Sequence, residues 1–157
     1  MKFAPIALVA AMALAPSAFA RKPHCMFRVH VEANERDTEV FATAIKAKVS
    51  GKDVAIQKVA SISEDDVVAF SVYRAPDGTL AALLQLDDHG RTMLDTLSVE
   101  HRGQPLFVFL NGRALTELLI DKRVSDGKIY IPYGITVADL KLMKKDWRLI
   151  APKEKKK

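Results

Sequence analysis

Apolar and polar positions alternate along most of this chain, and the alternating runs are short and separated by turn residues. Phe27, Val29, Val31 and Ala33 alternate with Arg28, His30 and Glu32, which predicts a half-buried strand over 27–33. A second alternation runs from Glu39 to Val49 through Phe41, Thr43, Ile45 and Ala47. Ser50-Gly51-Lys52-Asp53 is a hairpin signal, and Val54 to Ala60 is the return strand. Ala and Lys would also allow a helix over 40–49; the turn and the β-branched return strand favour the hairpin. Ser63-Glu64-Asp65-Asp66 predicts a capped single turn. Val67 to Arg74 and Leu80 to Leu86 then form a second hairpin across Pro76-Asp77-Gly78.

The period changes after Leu86. Asp87-Asp88 supplies a helix N-cap and negative charge at the positive end of the helix dipole. Met93, Leu94 and Leu97 mark one face of that helix, which ends near Arg102-Gly103. Leu106 to Leu110 are five consecutive large apolar residues closed by Asn111-Gly112, the pattern of a strand covered on both faces and ended by a tight turn. The state of Arg113 to Ile120 stays open. Ser125-Asp126-Gly127 turns the chain into a strand over Lys128 to Pro132. Thr136 caps a last helix from Val137 to about Lys145, with Leu140 and Met143 inward and Lys141, Lys144 and Lys145 outward. Trp147 to Ile150 is expected to pack back on the core. The fold class is α+β: antiparallel hairpins making one sheet, with two helices on one face.

Composition changes the picture at the two ends. Met1-Lys2, an apolar run from Ile6 to Leu14, Pro16-Ser17 and Ala18-Phe19-Ala20 read as a secretory signal peptide over 1–20, cleaved between Ala20 and Arg21. The apolar run is shorter than the ~20 residues that span a bilayer. Lys22-Pro23-His24 before Cys25 is not a lipid-attachment sequence. A periplasmic or secreted location follows, with residues 21–26 as a flexible leader, 27–150 as one domain and 151–157 as a basic tail. The net charge of +5 owes much to that tail, Lys153-Glu154-Lys155-Lys156-Lys157, and the rest is nearly neutral with both signs mixed. Nucleic acid is therefore not an expected partner. The tail reads as a solvated end, with weak attraction to an anionic surface as the sharper alternative. One cysteine allows no internal disulfide, so packing alone must hold the fold.

From Ala69 to Met143 the order of features resembles the periplasmic head subdomain of the protein-export subunit SecD. Leu86, Asp87-Asp88, Gly90 and Leu94 match an aliphatic residue, an acidic pair, a glycine and an apolar residue four on. Gly103, Leu106 to Leu110 and Asn111-Gly112 match a glycine before an apolar strand that ends in a turn. Gly127, Ile129 and Ile131, then Gly134-Ile135-Thr136 and Ala138-Asp139-Leu140, match a glycine-led strand and a Thr-capped helix. Leu115-Thr116-Glu117 departs from the family, which has a small residue and proline there, and residues 27–62 have no match. The membrane helices of SecD have no counterpart in this sequence. The resemblance implies a shared domain rather than a shared motor, a ferredoxin-like second half, and a module that binds extended polypeptide or docks on an envelope complex.

No catalytic constellation is supported by spacing. Asp87 and Asp88 are adjacent on a helix and point apart, so a cap explains them better than acid/base work. His101 suits the end of a helix dipole. An enzyme with a dispersed site is the alternative, with Asp66, Asp87, His89 and Arg113 as its candidates. No cofactor is expected. The soft donors His24, Cys25 and Met26, with His30, are the candidate metal ligands, and would suit Cu(I); the plainer reading is that Met26 and His30 flank a strand. The expected partner is a protein or peptide, met without catalysis.

Overall fold

The protein was analysed as a computed structural model that describes residues 24–151. The expected signal peptide over 1–20, with its expected cleavage between Ala20 and Arg21, and the lysine tail lie outside the described residues.

The elements are β1 (Phe27–His30), β2 (Ala42–Lys46), β3 (Asp53–Gln57), β4 (Ile62–Ser63), a 3-10 turn (Glu64–Asp66), β5 (Val67–Arg74), β6 (Leu80–Leu86), α1 (Asp88–Glu100), β7 (Pro105–Leu110), β8 (Arg113–Leu119), β9 (Lys128–Ile135), α2 (Val137–Asp146) and β10 (Arg148–Leu149). The α+β class holds. The strands are not one sheet, however. They form two four-stranded sheets, ordered β4-β1-β7-β8 and β10-β5-β6-β9, and the separate hairpin β2-β3. Pairing is antiparallel except for β10, which runs parallel to β5. The second half therefore does not close into a ferredoxin-like sheet: β7 and β8 leave β5, β6 and β9 to pair with β1.

β7 explains that division. Its residues Leu106, Val108 and Leu110 belong to the main core, which also holds Phe27, Val29, Phe70, Leu84, Ile131, Leu94, Leu97 and Met143. Phe107, pointing the other way, packs with Ala47 and Ile56, and Phe109 lies against the same group. The small hairpin thus covers the outer face of β7, so a strand apolar on both faces finds apolar cover on both. The hairpin is joined through the end of the first strand. Phe27 to His30 pairs with β7, whereas Val31 to Ala33 turns to β3, with Gln57 N–H donating to Val31 O at 3.0 Å and Ala33 N–H to Ala55 O at 2.8 Å. One alternating run in the sequence serves two sheets.

Turns and caps form as their residues require. Asn111 (φ 50°) and Gly112 (φ 79°) make the two-residue turn between Leu110 and Arg113, both in the left-handed region that such a hairpin needs. Asp87 Oδ1 accepts the Gly90 N–H at 2.8 Å and starts α1. Thr136 and Asp139 form a reciprocal box at the start of α2. The segment 113–120, left open by its pattern, is strand β8. The strand expected over Lys128 to Pro132 continues to Ile135, because β9 is an edge strand and its register shifts between Leu80 and Ala82, where a proline lacking N–H is tolerated.

Candidate functional site

β8 ends one four-stranded sheet and β9 ends the other, and no ladder joins them among the described residues. Their edges approach one another closely at Gly134 and Leu115. A Cβ on Gly134 would lie 3.0 Å from Leu115 Cδ1, and its φ of 91° is one that residues with a Cβ rarely adopt, so glycine suits this close approach of β9 to β8. Beside this contact Asp139 gathers the ends of three elements. It accepts from Asn111 Nδ2 at 2.7 Å, Arg113 at 2.5 Å and Thr136 Oγ1 at 2.7 Å. Burial pushes its carboxyl up, but the bonds from Thr136 and Asn111 and the charge of Arg113 outweigh this and hold it below the usual range.

Towards the other end of the two strands lies a cleft of about 150 Å³, between Leu118–Lys122 and Lys128–Tyr130, floored by Leu94 and Ser98 of α1. Leu119 is 67% exposed and Tyr130 52% exposed at its rim. The cleft combines apolar walls with two strand edges whose outer backbone groups have no ladder partner.

A second, larger groove of about 740 Å³ is lined by His24, Cys25, Glu64, Asp65, Asp146 and Trp147, among others. Here residues 24–26 depart from a flexible leader. Cys25 is 1% exposed, on the inward side with Phe27 and Val29, because it continues the alternation of β1 one step back. Its N–H donates to Asp146 Oδ2 at 2.6 Å, and His24 Nδ1 lies 3.1 Å from Asp146 Oδ1. A histidine, a carboxylate and a thiol therefore meet in a groove. The electrostatics are wrong for a nucleophile: burial, then Asp146 and Asp139, push the thiol up to about 12. A reactive cysteine needs a positive environment.

The four soft donors do not converge. Met26 is exposed and faces away from Cys25, with its N–H held by Asn111 Oδ1 at 3.0 Å. His30 is buried on the side of the small hairpin, where Nδ1–H donates to Gln57 O at 2.7 Å and the ring meets Phe109 edge-on. Burial lowers its pKa.

Of the polar residues named for a dispersed site, three come together. His89 Nδ1–H donates to the buried Asp66 Oδ1 at 2.6 Å, and Asp87 completes a group whose donor atoms lie within 4.8 Å of one another. The hydrogen bond that His89 donates to Asp66, and the charge of that carboxylate, raise the pKa of His89. Arg113 is elsewhere, on Asp139, and neither groove is lined by any of the four. The junction at Asp139 was missed by sequence reading. Its only signal was Thr136 three residues before Asp139, which marks a cap and not the residues it reaches.

The same α+β fold occurs in a membrane component that enhances protein export. That protein is SecDF: one solved structure matches with a TM-score of 0.55 and 13% identity over 80% of this chain and 64% of that chain. SecDF in its super-membrane-facing form matches with a TM-score of 0.54 and 12% identity, over 79% of this chain and 19% of that one. The resemblance read from residues 69–143 thus holds at the level of fold. This chain spans less than two-thirds of either SecDF chain. No protein family and no curated protein matches it in sequence. Among the described residues no helix is long and apolar enough to cross a membrane.

Proposed function

We propose that this protein is an exported, non-catalytic module that holds extended polypeptide in protein export, by pairing it onto the open edges of β8 and β9. The observation that carries the reading is the apolar cleft between two unladdered strand edges. Only a peptide backbone offers alternating donors and acceptors at strand spacing, while its alternate side chains can enter an apolar cleft. The shared fold with a component that enhances protein export supports the setting. Export itself rests on the signal peptide read from residues 1–20. The raised pKa of Cys25, and grooves lined by none of Asp66, Asp87, His89 and Arg113, support a binding role over catalysis.

The test is binding of a fluorescently labelled, permanently unfolded protein, followed by anisotropy. Leu119→Lys and Tyr130→Lys place charge at exposed rim positions and are expected to weaken binding about tenfold each, near 1.4 kcal/mol, with an unchanged melting temperature. The reading fails if the wild-type domain has no affinity for unfolded protein and recovers no partner from envelope extracts.

A further inference from the structure

The group formed by the 3-10 turn and the start of α1 is used by neither the cleft nor the large groove. We propose that Asp66, Asp87 and His89 form a binding site for one divalent ion of the zinc type. Three residues from two elements offer donor atoms within 4.8 Å of one another, a span that a single ion bridges with bonds of about 2.0–2.2 Å after small side-chain rotations.

Each carboxylate keeps capacity beyond its structural bond. Asp66 Oδ2 accepts the Ser63 N–H at 2.8 Å, and Oδ1 faces the imidazole. Asp87 holds the helix through Oδ1 alone. Local charge also favours a cation. The 3-10 turn that carries Glu64, Asp65 and Asp66 meets the start of α1, with its Asp87 and Asp88, where the Asp87 N–H donates to Asp66 O at 2.8 Å. Arg28 answers Glu64 at 3.6 Å and Arg91 answers Asp88 at 3.1 Å. Among the described residues His89 is the only cationic partner within ion-pair distance of Asp66, and Asp87 has none. An ion would take the place of the proton that His89 shares with Asp66. One imidazole with two carboxylates suits zinc and its neighbours in the first transition row, whereas magnesium and calcium prefer oxygen alone. Three protein donors leave a fourth position open to water or to a partner's side chain. Bound there, the ion fastens the turn before β5 to the first turn of α1 and stabilises both by mass action.

Untagged, metal-stripped protein titrated with Zn²⁺ against a chromophoric chelator is expected to show one site of micromolar affinity or better, with a melting temperature that rises on adding Zn²⁺. His89→Ala is expected to weaken binding at least about tenfold. Asp87→Asn should act in the same direction while keeping the N-cap, since Asn caps as well as Asp. His24→Ala, at the large groove, should leave the affinity unchanged. No saturable binding in the micromolar range overturns the proposal. So does binding that survives both His89→Ala and Asp87→Asn, or Mg²⁺ that displaces Zn²⁺ at equal concentration.

Discussion

Asp139 shows how one side chain can fix the meeting of three elements. Its carboxylate is buried, yet it caps α2 and receives the turn residue Asn111 and the first residue of β8, Arg113. Those donors favour the charged form, so its pKa is lower in the folded chain than in the unfolded one. The resulting stabilisation is present above the unfolded value of ~3.9 and is lost as pH falls through the folded value. Asp139→Asn is therefore expected to cost about 2 kcal/mol at neutral pH. The gap between wild type and variant should narrow in acid, in urea titrations run across a pH series. Cys25 illustrates the opposite case. A lone cysteine beside soft donors suggested an exposed ligand, but it sits one step before an inward-facing alternation, and burial decides its chemistry.

Among the elements, α1 was legible because its signals are local. An aspartate cap, acidic first turn and apolar spacing are all local to the helix, which runs Asp88–Glu100 and stops just short of the end expected near Arg102-Gly103. The bounds of β5 and β6 were legible for the same reason. β8 was not. It lies at a sheet edge opposite a bulge between Val108 and Phe109, and its exposure does not alternate cleanly. Glu117 on this strand accepts the N–H groups of Val49 and Ser50 at 2.6 and 3.2 Å, a duty set by the distant hairpin turn. Gly90 has a role that helix propensity alone misjudges. An alanine there gains about 1 kcal/mol in helix propensity. Its Cβ, however, would lie 2.8 Å from Asp66 Cβ and 3.0 Å from Leu86 Cβ. The overpacking costs about 1–3 kcal/mol, so Gly90→Ala is expected to be net destabilising in thermal or urea unfolding, against the usual sign for such a change in a helix.

At the scale of the whole molecule, two sheets share one core and the small hairpin adds a second, thinner one on the outer face of β7. Phe107 belongs to that second layer. Phe107→Ala is expected to cost about 3–5 kcal/mol, and to speed amide hydrogen exchange in β2 and β3 more than in β5 and β6. Uniform acceleration across all four strands would show that the hairpin does not open separately. The sequence by itself determined the α+β class, the places of both helices and most strands, the Asn111-Gly112 turn and the double-sided burial of β7. Each of these depends on residues close together in the chain, where period, capping and turn chemistry act directly. Tertiary structure alone decided which strands share a sheet, where two edges are left facing a cleft, and which distant side chains meet at Asp139 and at Asp66. Sheet partners are chosen by the burial of faces across the whole chain, and a periodicity of two records that a face is buried without recording what buries it.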